Sequence, residues 1–222
     1  DALTGGHVWA DRFDGSLDDV FALQDKVTSS IADALAIRLT AAEQQSLGQQ
    51  ETSVPAAYDA FLRGWDHLRR ANREDNAKAI SYFETAIRLD SNYWRAHAAL
   101  AQAYFNSYQR NWNDGLGISG IEAYERASRI LKEAKKHPTS TARQVAGSML
   151  LDSGGYDKAI AEFKEAIILD PSDSWGYAYL ALALTIAGQP TEAVPHIETA
   201  MRLDPHYPPI YLQYLGLAQF GM

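Results

Sequence analysis

The chain of 222 residues contains no cysteine, which excludes disulfides, thiolate metal sites and a cysteine nucleophile. No stretch approaches the ~20 consecutive apolar residues that a membrane-spanning helix needs. The six histidines (His7, His67, His97, His137, His196 and His206) make no H-E-x-x-H run and no H-x-x-x-H pair, so neither a zinc site nor histidine catalysis has a frame. Asp11, Asp14, Asp18 and Asp19 cluster without calcium-loop spacing; turns and helix capping account for them. Positive charge is in short supply, with a formal net charge of −8. The first 48 residues hold eight acidic and three basic side chains, and the remainder is near balance, which argues against a nucleic-acid groove. With no nucleophile–base pair and no metal constellation, the chain reads as non-catalytic and no cofactor is expected.

Two motifs have plain explanations. Gly115, Gly117 and Gly120 fit G-x-G-x-x-G, but a dinucleotide site needs a preceding strand. Here the glycines follow Asn111–Asp114 between helical stretches and read as a loop entering a helix. Arg126, Arg129, Lys132, Lys135 and Lys136 alternate with Glu122, Glu125 and Glu133, as on a solvated helix face.

What the chain does have is a repeat. Ala159, Phe163, Ala166, Asp170 and Pro171 return 34 residues later as Ala193, Ile197, Ala200, Asp204 and Pro205. That period is the mark of stacked helical hairpins. Val145, Ala146, Met149 and Leu150 lie at helical spacing, Gly154–Gly155 permit a turn, and the second helix resumes at Ala159. Gly147, Ala159 and Ala166 suit a close approach of two helices, with Phe163 filling the space beside them. A less regular copy holds Gly64, Ala79, Phe83, Ala86 and Asp90, with about three extra residues expected in its turn. Another holds Leu100, Ala101, Tyr104, Ala127, Leu131 and Ala134, interrupted by an insertion from roughly Asn106 to Gly120. A half-copy, Tyr211 to Phe220 with Leu215–Gly216, supplies one last first-type helix and reads as truncated.

These residues resemble the tetratricopeptide repeat (TPR) family. The resemblance implies an all-α superhelix of antiparallel hairpins over residues 49–222, four repeats plus a half-repeat. It also implies a non-catalytic module that holds a peptide or a partner helix on its inner face. Carrying the family geometry onto this sequence gives Tyr58, Phe61, Trp65, Arg95, Gln102, Phe105, Gln144, Ser148, Trp175 and Leu182 as the groove. A mixture of aromatics, amides and one arginine suits a mainly neutral segment, not the carboxylate-clamp ligands of the lysine- and arginine-rich variety. The alternative for Phe61, Trp65 and Leu182 is packing against neighbouring repeats.

Residues 7–13, HVWADRF, read as a short strand, and Asp14–Gly15 as a turn. Next comes an amphipathic helix whose apolar face includes Val20, Leu23, Val27, Ile31, Leu35 and Leu39. A strand and a helix cannot bury their own faces, so residues 1–48 read as the end of a larger domain. The wording GGHVWADRFDGSLDDVFALQDKVTSSIADAL resembles the end of the TolB-like α/β domain that precedes TPR arrays in bacterial regulators. That likeness implies cytoplasmic adenylate or guanylate cyclase-associated signalling proteins, or winged-helix transcription regulators, as the parent. Residues 40–55 read as a helix end and a linker, with Pro55 opening the first repeat helix. The unpaired strand and the last half-repeat also motivate a second expectation, a scaffold that associates with its own copies.

Overall fold

The computed structural model describes residues 11–14, 20–34 and 51–221, and every element among them is helical. Of the expected strand, residues 11–13 carry no strand structure and 7–10 lie outside the described residues. The amphipathic helix α1 spans Val20–Ala34, with none of its residues buried; Leu35 and Leu39 of its expected face lie outside the described residues.

Four hairpins follow: α2 (Pro55–Arg69) with α3 (Arg73–Leu89), α4 (Trp94–Gln109) with α5 (Gly120–Ala134), α6 (Ser140–Asp152) with α7 (Tyr156–Leu169), and α8 (Ser174–Ile186) with α9 (Pro190–Leu203). A last helix, α10 (Ile210–Gly221), packs on α8 and α9. The first helix of each hairpin also touches the first helix of the next, so α2, α4, α6, α8 and α10 form one inner layer.

Local chemistry sets the boundaries. Side chains of Asn72, Ser119, Thr139 and Asp173 accept a backbone N–H at the starts of α3, α5, α6 and α8. At the α6–α7 turn Gly154 takes φ 80°, and the next N–H, of Gly155, returns to the Leu150 carbonyl at 2.8 Å. Gly188 (φ 79°) and the Gln189 N–H to Leu184 repeat this device one hairpin later. An aspartate stands at three of the four junctions that lead to the next inner helix; the one before α6 has Pro138 and no aspartate. Asp90, Asp170 and Asp204 each accept the N–H two residues on, at 2.9–3.1 Å, and Asp90 has no proline after it.

The three extra residues of the first hairpin are not in its turn. That turn, residues 70–72, is as long as the one at 153–155; α3 has 17 residues against 14 in α7, so the excess lengthens α3 at its start by about one helical turn. The insertion is also shorter than expected, because α4 runs on to Gln109. A 3₁₀ turn, Asn113–Leu116, fills it, and Leu116 and Ile118 pack onto the core. The glycines of G-x-G-x-x-G therefore join two helices.

Packing repeats as faithfully as the turns. Ala79, Phe83 and Ala86 in α3, Ala159, Phe163 and Ala166 in α7, and Ala193, Ile197 and Ala200 in α9 are all fully buried. One ion-pair cluster ties three helices: Glu162 of α7 accepts from Lys135, just after α5, at 2.6 Å and from Arg143 of α6 at 2.9 Å. Burial alone would push the Glu162 carboxyl up; the hydrogen bonds from Lys135 and Arg143 more than offset it and hold it below its ordinary range. A carboxyl lowered by folding stabilises above its unfolded pKa, and the contribution disappears as pH falls through the folded one. Glu162→Gln is therefore expected to cost about 1 kcal/mol in urea unfolding near pH 7 and close to nothing near pH 3. An equal cost at both pH values would remove the electrostatic account.

Candidate functional site

The inner layer encloses a cavity of about 300 Å³ where α4, α6, α8 and α10 converge. Gln102, Phe105, Asn106 and Gln109 come from α4; Gln144, Ser148 and Asp152 from α6; Tyr179, Leu182 and Ile186 from α8; and Tyr214 from α10. The α4 side is thus rich in amides and the α8 side in apolar and aromatic groups. Asp152 is the single carboxylate among the described lining residues. The Gln102 Oε1 atom is buried without a hydrogen-bond partner, an acceptor that costs free energy until a donor reaches it. Burial pushes the Tyr179 and Tyr214 hydroxyls up, so both stay neutral donors.

A wider cavity of about 860 Å³ opens at the starts of α4, α6 and α8, beside the end of α2. Trp65, Arg69, Arg95 and Trp175 line it, with Glu51 and Asp204. Arg95 is already engaged: it donates to both Glu51 carboxylate oxygens, at 2.8 and 3.0 Å, and its guanidinium lies 5.1 Å from the Phe61 ring. Next to Glu51, Thr52 is buried and donates to Asp90 at 2.5 Å. The end of the segment read as a linker is therefore pinned to the array.

Of the ten expected groove residues, the inner cavity brings together Gln102, Phe105, Gln144, Ser148 and Leu182. Trp65, Arg95 and Trp175 meet at the wider one, while Tyr58 and Phe61 line neither. Phe61 is 1% exposed, packed among Trp65, Phe83 and Tyr93. Tyr58 faces α1: its ring lies 5.4 Å from Phe21, and its hydroxyl accepts from Gln24 at 2.6 Å. Gln144 is 5% exposed and spends its amide on Ser140 and Asp173, at 3.0 and 2.5 Å. Substitutions at Arg95 or Gln144 therefore perturb internal contacts before any ligand is considered.

Sequence reasoning missed Asn106, Gln109, Ile186, Tyr179 and Tyr214. The signal was present. Asn106 and Ile186 follow Gln102 and Leu182 by four residues, one turn along the same helix face. Among the described residues no three metal-ligating side chains converge, and no helix is long and apolar enough to cross a membrane.

A family model described as tetratricopeptide repeat matches residues 145–208, which run from within α6 past the end of α9. Putative adenylate cyclase 3 of Rhizobium meliloti (strain 1021) is 34% identical over 113 residues, 51% of this chain. The match spans 19% of that curated relative's length. Among solved structures, YrrB, described as a TPR protein with an unusual peptide-binding site, is 16% identical with a TM-score of 0.45, covering 82% of this chain and 83% of its own. Pseudomonas aeruginosa PilF is 21% identical with a TM-score of 0.46, covering 75% and 77%.

Proposed function

We propose that this chain is a non-catalytic binding module that holds an extended, largely uncharged peptide segment in the cavity between α4, α6, α8 and α10. The observation that carries this reading is the unpartnered Gln102 oxygen beside an apolar wall. An extended peptide has a backbone N–H for the first and apolar side chains for the second. Asn106, Gln109 and Ser148 offer further neutral donors and acceptors along the same line. On the likeness to the Rhizobium meliloti cyclase, we read the module as the partner-binding part of a larger cyclase-type signalling protein. Residues 1–48 would then end a TolB-like domain ahead of the array at 49–222, on the WADRFDG wording at residues 9–15.

A display library of random linear peptides, selected on the chain, supplies the probe. Gln102→Leu removes a buried acceptor that has no partner, so stability should be unchanged or slightly raised. Binding of the selected peptides should fall about tenfold, the worth of one hydrogen bond in a desolvated site. Leu182→Ala should weaken binding to a similar degree. Peptides that bind both variants as tightly as the original chain would place the site elsewhere.

A further inference from the structure

We propose that the inner cavity holds its partner peptide by a free amino terminus, with the α-ammonium group on Asp152 and the third side chain against Leu182. The inference rests on the peptide reading above and adds which end of the peptide enters, and in which register. It starts from a residue that is badly placed for stability. Asp152 is the last residue of α6, where a carboxylate meets the negative end of its own helix dipole. Among the described residues it has no ion-pair partner. Arg110, which follows α4 at the neighbouring helix end, lies over the Trp112 ring at 5.0 Å instead. Tyr108 is close enough to Asp152 for the carboxylate to push its hydroxyl up, which keeps that group a neutral donor.

The adjoining helices end in the same way. α4, α6 and α8 each give their final residue, Gln109, Asp152 and Ile186, to the cavity lining, and none has a basic residue in its last turn. The outer helices differ: α3, α5 and α9 carry Arg88, Lys132 and Arg202 there, the usual complement to the dipole. Three negative helix ends and one carboxylate thus meet at one end of the cavity, whose described lining holds no positive charge. A cationic group supplied by the ligand would answer all of them.

The lining also sets a register. Ala101, Gly147 and Ala181 hold the same place in α4, α6 and α8. One residue on stand Gln102, Ser148 and Leu182; five residues on stand Asn106, Asp152 and Ile186, and all six line the cavity. They make two tiers about 6 Å apart along the helices, close to the distance of about 6.6 Å that an extended chain advances in two residues. A backbone N–H that satisfies the Gln102 oxygen on the first tier therefore puts the nitrogen two residues earlier on the second. α6 lies between the amides of α4 and the apolar wall of α8, beneath the main chain of such a ligand. What meets Asp152 is then a main-chain group, and the cationic main-chain group is the α-amino terminus. A chain running on past that point would offer only a neutral amide.

The probe is an array of random peptides tethered at their carboxyl ends, made once with free amino termini and once N-acetylated. Binding is expected on the free array, with an apolar third residue favoured, and about tenfold or more weaker on the acetylated one. For the selected peptides in solution, Asp152→Asn should lower affinity about as far as acetylation does, and acetylation should then cost that variant nothing further. Urea unfolding should show the variant to be at least as stable as the original chain, because its helix end loses an unfavourable charge. Equal binding to both arrays that still falls with Gln102→Leu overturns the amino-terminus assignment and leaves the peptide reading intact. So does binding that follows an internal lysine and survives acetylation of the terminus. No binding on either array, or binding indifferent to Gln102→Leu, removes the peptide reading itself and this inference with it.

Discussion

Gly147→Ala and Phe163→Ile are each expected to destabilise the protein, while the double variant is expected to return to within about 1 kcal/mol of the original. The alanine methyl would sit 2.6 Å from Phe163 Cε1, 2.8 Å from Cζ and 2.9 Å from Cδ1. The ring has nowhere to retreat: it is fully buried and stacked against Tyr179 at 5.6 Å. Overpacking of this kind costs about 1–3 kcal/mol, against which alanine's better helix propensity returns up to about 1 kcal/mol. The net effect is destabilising. Phe163→Ile alone leaves a hollow over Gly147 and should cost about 1–3 kcal/mol in lost contacts. Together the two substitutions recreate Ala181 over Ile197, the pair that the next hairpin already buries. Ala101 with Leu131 in the α4–α5 hairpin makes the same exchange of volume. Urea unfolding of the four proteins closes the cycle. Simple additivity of the two single costs would show that the residues do not share one packing space.

That complementarity explains why so much of the fold was legible. Glycine stands opposite phenylalanine in two hairpins and alanine opposite isoleucine in a third, because each hairpin solves the same contact with its own pair of volumes. Turn positions were legible too, since Gly154 and Gly188 sit where the chain needs positive φ. Asp90, Asp170 and Asp204 were legible as repeat positions, and Asp90 closes its turn with no proline behind it. The candidate site was less readable, for a reason of distance. Whether an inward aromatic is core or groove depends on partners from other elements. Phe61 is enclosed by Phe83 and Tyr93, and the Arg95 beside it is occupied by Glu51, 44 residues away in a stretch that reads as linker. Gln144 looks like a free amide until Asp173 arrives from the start of α8. Spacing along one helix could not supply those partners. It could supply Asn106 and Ile186, one turn beyond residues already chosen.

Phe61→Ala is expected to cost about 3–5 kcal/mol, the range for emptying a buried aromatic site, whereas a true groove side chain should cost little. Phe61 is 1% exposed and sits in the middle of Trp65, Phe83 and Tyr93, with the Arg95 guanidinium against its ring. Truncation leaves a cavity and also removes the surface on which the Arg95–Glu51 pair rests. The damage should stay local. Each hairpin of such an array contacts only its neighbours, so stability is close to a sum of nearest-neighbour terms. Hydrogen exchange resolved along the chain is expected to show amides of α2 and α3 losing protection first and most, with α8 and α9 nearly unchanged. Peptides selected for the inner cavity, whose lining begins at α4, should then still bind at temperatures where α2 and α3 have opened. Uniform loss of protection would mean that the hairpins melt as one unit. Full retention of protection would instead return Phe61 to the groove, and the separation of core from binding surface drawn from its enclosure would fail.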